Sequence, residues 1–276
     1  MITPDSTLIE LPDLQQGTEE WHNQRRGIVT ASVVNNLIAT RSLTGIEYDC
    51  PECGAAANDP CLGKRTPAPI KTLHTARTHV AQAGRGEVVL EVAKGDTARS
   101  VTALLVAERI TGWTDPTYIS DDMLRGMEDE PRARDKYAEH FAPVDEIGFM
   151  IREGHGYTIG YSPDGLVGDD GLIEIKSRRQ KKQVETVISG HPPAENMAQL
   201  QTGLLVSGRN WIDYVSYSGG MNLWVKRVYP DQRWFDAIIA AVQAFEENAA
   251  EMIRLYSAGV EGFPMTERVI EQEMVI

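Results

Sequence analysis

Apolar and polar positions alternate most sharply over residues 157–176, YTIGYSPDGLVGDDGLIEIK. The pattern predicts two strands, Tyr157–Ser162 and Leu172–Lys176, joined through turn chemistry at Asp169-Asp170-Gly171. Successive strand side chains point to opposite faces, so Leu172, Glu174 and Lys176 share one face and Ile173 and Ile175 the other. The apolar pair is expected in a core, which leaves a carboxylate and an ammonium on the opposite face. Asp164, just past the first strand, can lean over the same spot. Two carboxylates and a lysine at one point suit a hard divalent cation such as Mg²⁺, which takes oxygen ligands and accompanies phosphate substrates. An isolated Asp-x9-Glu-x-Lys pattern is more often a hairpin with a solvated face. Arg178, Arg179, Lys181 and Lys182 follow at once and favour an anionic substrate.

Other periodicities fill in the chain. Residues 1–16 are expected to be a loose lead-in. Thr18-Glu19-Glu20-Trp21 opens a short helix that Gly27 breaks, and Val33–Ala39 reads as an apolar helix capped by Thr30 or Ser32. Hydroxyls and free amides at a helix start, with Arg25 nearby, can form a phosphate pocket. On these residues alone an ordinary cap beside a surface arginine is the preferred reading. Residues 97–111 form an amphipathic helix stopped by Gly112. A further helix opens at Gly126, with Pro131 in its first turn and Ala133, Tyr137 and Phe141 on one stripe. Glu130 there can face a metal or complement the helix dipole. Glu146–Arg152 is a strand, Ala194–Val206 a helix carrying Gln199 and Gln201, and Trp211–Ser218 with Leu223–Tyr229 a hairpin. Gln232–Ala258 is a long helix that buries Trp234, Ile238, Phe245, Met252 and Tyr256.

Composition changes this picture little. With 276 residues, 42% hydrophobic and 24% charged, the chain suits one sizeable domain plus an insert. No apolar run reaches membrane-spanning length and no signal peptide opens the sequence, so a cytoplasmic protein is expected. A net charge of −13 argues against a nucleic-acid partner, but its distribution softens this. Residues 231–276 hold nine acids against three bases, whereas residues 61–86 hold five bases and no acid.

Those bases lie in a segment, residues 45–86, that also holds all three cysteines. Cys50, Cys53, Cys61 and His74 are spaced as C-x2-C-x7-C-x12-H, which fits one tetrahedral Zn²⁺, with His79 a weaker alternative for the fourth ligand. The segment is poor in core residues, as expected where metal binding supplies folding energy.

Four stretches together resemble a known family: RRGIVTAS (Arg25–Ser32), GMEDEPRARDKY (Gly126–Tyr137), SPDGLVGDDGLIEIK (Ser162–Lys176) and QLQTGLLVSG (Gln199–Gly208). Their order is that of the lambda-type phage exonucleases, or YqaJ-type viral recombinases, of the PD-(D/E)xK nuclease superfamily. The cysteine-rich segment departs from that pattern and resembles small zinc fingers embedded in phage proteins. The resemblance implies an α/β, restriction-endonuclease-like core with a mixed central sheet flanked by helices, residues 1–44 and 87–276, carrying a zinc-finger insert at 45–86.

It also implies roles. Asp164, Glu174 and the Ile175 carbonyl would ligate Mg²⁺ or Mn²⁺, Lys176 would orient and activate water, and Glu130 would hold a second metal or its water. Gln201, with Gln199 as a second candidate, would position the water or the lysine. Arg25 and Ser32 would bind a terminal 5′-phosphate. Arg178, Arg179, Lys181 and Lys182 are expected to meet DNA. The implied activity is 5′→3′ digestion of double-stranded DNA ends, partnered by a single-strand annealing protein in phage recombination within a bacterial host. Family members often form ring-shaped trimers. An endonuclease or nickase with the same catalytic residues, or a non-catalytic zinc-finger DNA-binding protein, are the alternatives.

Overall fold

A computed structural model describes residues 5–83, 88–116 and 118–269. Arg85, the residue 86/87 boundary and the tail acids Glu271 and Glu273 lie outside the described residues.

The lead-in is not loose. Its residues Thr7–Leu11 form β1 and pair antiparallel with β5 much later in the chain. Helix α1 (Glu19–Arg25) is capped by the Thr18 hydroxyl, which accepts from the Trp21 amide. Strand β2 is only Val29–Thr30. The expected apolar helix over Val33–Ala39 is absent. A short 3-10 turn, Val34–Leu37, runs into strand β3, Ile38–Ser42, where β-branched Ile38 and Thr40 favour extended backbone. β3 pairs antiparallel with β4 (Val88–Val92), and α2 (Thr75–Ala83) lies between them in sequence. Helix α3 is Asp96–Thr111, ended by Gly112 in the left-handed region.

Helix α4 spans Asp121–His140 and starts earlier than the pattern at Gly126 indicates, because the Ser120 hydroxyl caps it. Pro131 therefore sits inside the helix and not in its first turn, where its ring removes one backbone bond. There follow β5 (Phe149–Gly154), β6 (Tyr157–Tyr161), β7 (Gly165–Val167) and β8 (Gly171–Ser177). Then come α5 (Gln180–Ser189), α6 (Ala194–Ser207), β9 (Trp211–Tyr217), β10 (Trp224–Val228) and α7 (Gln232–Gly259).

The class is α/β. Among the described residues, the strands form two four-stranded sheets and the β3–β4 ribbon. One sheet has the order β1-β5-β6-β2, with β2 parallel to β6; the other has the order β10-β9-β8-β7, with β8 parallel to β9. The predicted 157–176 unit is thus divided: β6 belongs to the first sheet, and the hairpin partner of β8 is β7.

Two apolar clusters meet across β8. Leu172 joins Ile159, Tyr161, Leu200, Leu204, Ile212 and Phe245 in the larger one, between α6, α7 and both sheets. Ile173 and Ile175 join Ala133, Tyr137 and Val215 under α4. Both faces of β8 are therefore buried, as in sheets that carry helices on both faces. Glu174 lies on a covered face and not, as its alternation suggests, on an open one. No helix among the described residues is long and apolar enough to cross a membrane.

Candidate active site and metal centre

β7 begins at Gly165, opposite Ile173, so the residues of β8 beyond Ile173 have no strand on that side. Asp164, just before β7, turns into this gap and accepts from the Ile175 amide at 2.6 Å. Glu174 is only 1% exposed. Its Oε1 accepts from Lys176 Nζ and from Gln199 Nε2, each at 2.6 Å, and its Oε2 from the Tyr161 hydroxyl at 3.0 Å. Tyr161 reaches this position because its ring lies on α6 at Gly203, where an added Cβ would come within 2.8 Å of it. Glu130, on α4, lines the same cleft and pairs with Arg134, whose Nε donates to the Asp164 carbonyl at 2.8 Å.

Glu130, Asp164 and Glu174 thus converge with the Lys176 ammonium on a cleft of about 410 Å³, whose lining also includes Asp122. Burial, reinforced by the Glu174 carboxylate, pushes the Asp164 carboxyl well above the usual carboxylate range. Burial also raises Glu130, against the pull of Arg134. Burial disfavours the Lys176 ammonium, but Glu174 and Asp164 outweigh it and hold the amine protonated above the usual lysine range. Crowded carboxylates that resist ionisation are what a divalent cation would relieve, and this all-oxygen donor set fits Mg²⁺ or Mn²⁺.

Arg25 and Ser32 line the same cleft. The Arg25 guanidinium lies 3.9 Å over the Trp21 ring and donates to Ser162 Oγ at 3.2 Å and Ser32 Oγ at 3.4 Å. Burial lowers its pKa to about 10, so it remains a cation at neutral pH. Ser32 and Thr30 do not cap a helix; their hydroxyls bond each other at 3.0 Å. Gly27 lets the chain enter this pocket. Its φ of +69° suits glycine, and an added Cβ would lie 2.5 Å from Arg109 Cγ.

Gln201 is not at the cleft. It is 1% exposed, donates to the Tyr229 carbonyl at 2.9 Å and accepts from the Asp231 amide at 2.9 Å, bracing the connection into α7. Gln199 is the glutamine that reaches Glu174. The basic run also divides. Arg178 is engaged inside, donating to the Tyr214 hydroxyl at 2.7 Å and to Asn196 of α6. Arg179 pairs with Asp122 at 2.8 Å, while Lys181 and Lys182 are exposed on α5 beside Glu185. Tyr161, Trp21 and Arg134 escaped the sequence reading. Only Arg134 left a signal, four residues from Glu130 on one helix face.

At the far end of the β3–β4 ribbon, the ligand atoms of Cys50, Cys53, Cys61 and His74 lie within 4.8 Å of one another. One tetrahedral Zn²⁺ can gather them with small adjustments. Three thiolates and Zn²⁺ leave one net negative charge. Arg77, fully buried, supplies the compensating cation. Its guanidinium donates to the carbonyls of Tyr48, Asp59 and Ala56 at 2.7 Å and of Ile46 at 2.8 Å, and approaches Cys61 Sγ at 3.5 Å. Arg77 thus leaves the set of free bases counted in this segment, and Lys64 is paired with Glu52 at 2.7 Å.

A family model for the YqaJ-like viral recombinase domain matches residues 73–210, half of the chain, and one for a DNA-binding phage zinc finger domain matches residues 15–89. The zinc finger match and the Cys3His cluster together assign Zn²⁺ to this centre. Among solved structures, the chain is similar to an alkaline exonuclease (LHK-Exo) from Laribacter hongkongensis, at 27% identity over 90% of this chain and 100% of that one, with a TM-score of 0.64. A second structure of LHK-Exo, in complex with dAMP, matches at 26% identity over 90% and 100% of the two chains, with a TM-score of 0.63. No curated protein matches the chain.

Proposed function

The chain belongs to the YqaJ-like viral recombinase family, and from that premise we propose that it is a metal-dependent exonuclease acting on double-stranded DNA ends. It would digest one strand 5′→3′ and leave 3′ single-stranded tails for recombination by strand annealing. One observation carries this reading. Arg25 and Ser32 open into the same cleft as Asp164, Glu174 and Lys176, so a terminal phosphate and a reacting phosphodiester can be held together. Similarity to an alkaline exonuclease over 90% of the chain supports it, as does that enzyme's complex with dAMP, a mononucleotide.

The donors Asp164 and Glu174, with the Ile175 carbonyl and with Glu130 for a second ion, would hold Mg²⁺ or Mn²⁺. Bound there, such an ion supplies a water of lowered pKa and neutralises charge on the phosphoryl oxygens. The chain's own residues do the rest. Arg25 grips the terminal phosphate through a charge-assisted fork, and Trp21 fixes its plane. Lys176, held as an ammonium by Glu174, orients the attacking water and stabilises charge gathering in the transition state. Gln199 and Tyr161 keep both Glu174 oxygens in place. Hydrolysis would leave a 5′-phosphate mononucleotide and a 3′-hydroxyl. We read residues 45–86 as a zinc-finger insert on a nuclease core and assign it a DNA contact. A single-strand annealing partner, ring-shaped trimers and a cytoplasmic setting in a phage-carrying bacterial host complete the proposal.

Digestion of linear duplexes bearing 5′-phosphate or 5′-hydroxyl ends, beside covalently closed circles, with Mg²⁺ or EDTA, tests it. Metal-dependent release of mononucleotides from phosphorylated ends, with circles untouched, is expected. Cutting of circles would make the enzyme an endonuclease. No metal-dependent cutting of any substrate would leave a DNA-binding protein.

A further inference from the structure

A second cleft, of about 580 Å³, opens beyond the Ser177 end of β8. Arg125, Arg178, Arg179 and Lys181 line it, and Asp129 is the acid among its lining residues. We infer that this cleft binds the sugar–phosphate backbone of the DNA substrate beyond the reacting end, and that the Asp122 carboxylate holds the arginines in its place when no DNA is bound. The inference rests on the nuclease reading and adds to it a second subsite and a built-in competitor.

Position supports this. Ser177 lines the reactive cleft and Arg178 the second one, so one corner of the chain separates the two. A strand rises ~3.3 Å per residue, which puts Ser177, the last residue of β8, roughly 10 Å past Glu174, with Arg178 and Arg179 just beyond it at the corner. Arg125 is oriented in advance: its Nε donates to Ser177 Oγ at 3.1 Å, and that hydroxyl donates to Asp129 at 2.7 Å. Its Nη1 donates to Asp122 Oδ1 at 2.6 Å, and Arg179 donates to the same oxygen through Nε at 2.9 Å and Nη2 at 2.8 Å. A single carboxylate oxygen thus collects two guanidinium groups from α4 and the β8–α5 corner. A phosphodiester oxygen offers the same acceptor with better charge and geometry for two forks. Asp122 and Arg179 are 57% and 68% exposed at their side chains, so their ion pair is weak in water and easily exchanged.

The exchange predicts opposite signs for neighbouring substitutions. Binding of a short 5′-phosphorylated duplex to the zinc-loaded protein is measured with neither Mg²⁺ nor chelator added, so without turnover, across a salt series. Arg125→Gln and Arg179→Gln should each weaken binding several-fold and reduce the log–log salt slope by about 0.9, one phosphate contact. Asp122→Asn should tighten binding several-fold at low salt. Asp121→Asn removes an equal charge one residue away and makes neither arginine contact; its gain should be much smaller. A wild-type salt slope in both arginine variants, or equal gains from the two aspartate variants, would overturn the inference. A single-stranded arm identifies the bound strand. If the arginine variants lose as much affinity for a 5′-phosphorylated single strand, the cleft holds the digested strand; a loss confined to duplex assigns it to the complement. Either result supports the cleft. Because these are binding measurements, they stand if hydrolysis is never observed, and a failed cleft leaves the nuclease reading intact.

Discussion

Glu174 has both oxygens engaged by three side chains before any substrate arrives, and two of those partners, Tyr161 and Gln199, come from other elements. The two glutamines of α6 divide between the cleft and the fold. Residues two apart on a helix point about 200° from each other, so Gln199 meets the cleft while Gln201 faces the β10–α7 connection. Gln199→Ala should lower the turnover rate of linear duplex digestion about ten-fold, since it removes one of the two donors that hold Glu174 Oε1, with little change in melting temperature. Gln201→Ala should do the reverse. It strands a carbonyl and an amide, at about 1–3 kcal/mol, and should lower melting while the rate per folded molecule holds. A large catalytic loss from Gln201→Ala at unchanged stability would return it to the site. Arg25→Ala should slow digestion of 5′-phosphorylated ends about ten-fold or more, since a charge-assisted contact contributes roughly 1.5–3 kcal/mol. Equal slowing on 5′-hydroxyl ends would make Arg25 a general backbone contact.

Among the elements, the signatures that depend on near neighbours were legible: α3 with its glycine stop, α6, the β9–β10 hairpin and α7. Part of what failed depended on distant partners. β1 exists because β5 pairs with it, and β8 is covered on both faces because α6 and α7 pack on one side and α4 on the other. Nothing near either segment announces those partners. Burial of Glu174 also changes how its role must be tested. Truncation to alanine would strand Tyr161 and Lys176, whereas Glu174→Gln keeps the shape and should still abolish hydrolysis. The insert was legible as a ligand set, Cys50, Cys53, Cys61 and His74, but its organising residue was not. Arg77 reads as one more surface base until four carbonyls are seen around it. Arg77→Met should destabilise the insert on the order of 3–5 kcal/mol, the range for breaking a buried ion pair. It should also release zinc in a metal assay while far-ultraviolet circular dichroism of the remainder persists. Full zinc retention would show that the site needs no counter-charge.

At the scale of the whole molecule, a soft thiolate centre and a hard carboxylate centre sit on separate parts of one chain, and their metals should be separable. Zinc loss should disorder the ribbon-borne segment; Mg²⁺ should act on the stability of the nuclease core, with a definite dependence on pH. The folded-state pKa values of Asp164 and Glu130 are raised by burial, with Glu174 adding to the effect on both. Above the ordinary carboxylate range, ~4, the unfolded chain gives up these protons while the folded chain keeps them. The folded state then binds more protons, so stability without Mg²⁺ falls as pH rises through that window, until the raised groups also ionise. Mg²⁺ at the same oxygens favours the ionised forms and releases the protons. The rise in melting temperature on adding Mg²⁺ to the zinc-loaded protein should therefore be small near pH 5 and grow toward pH 8, with proton release detectable by calorimetry in buffers of different ionisation enthalpy. Asp164→Asn removes one of the two raised carboxyls and should flatten that growth. A Mg²⁺ effect independent of pH, or one that Asp164→Asn leaves unchanged, would place the ion elsewhere.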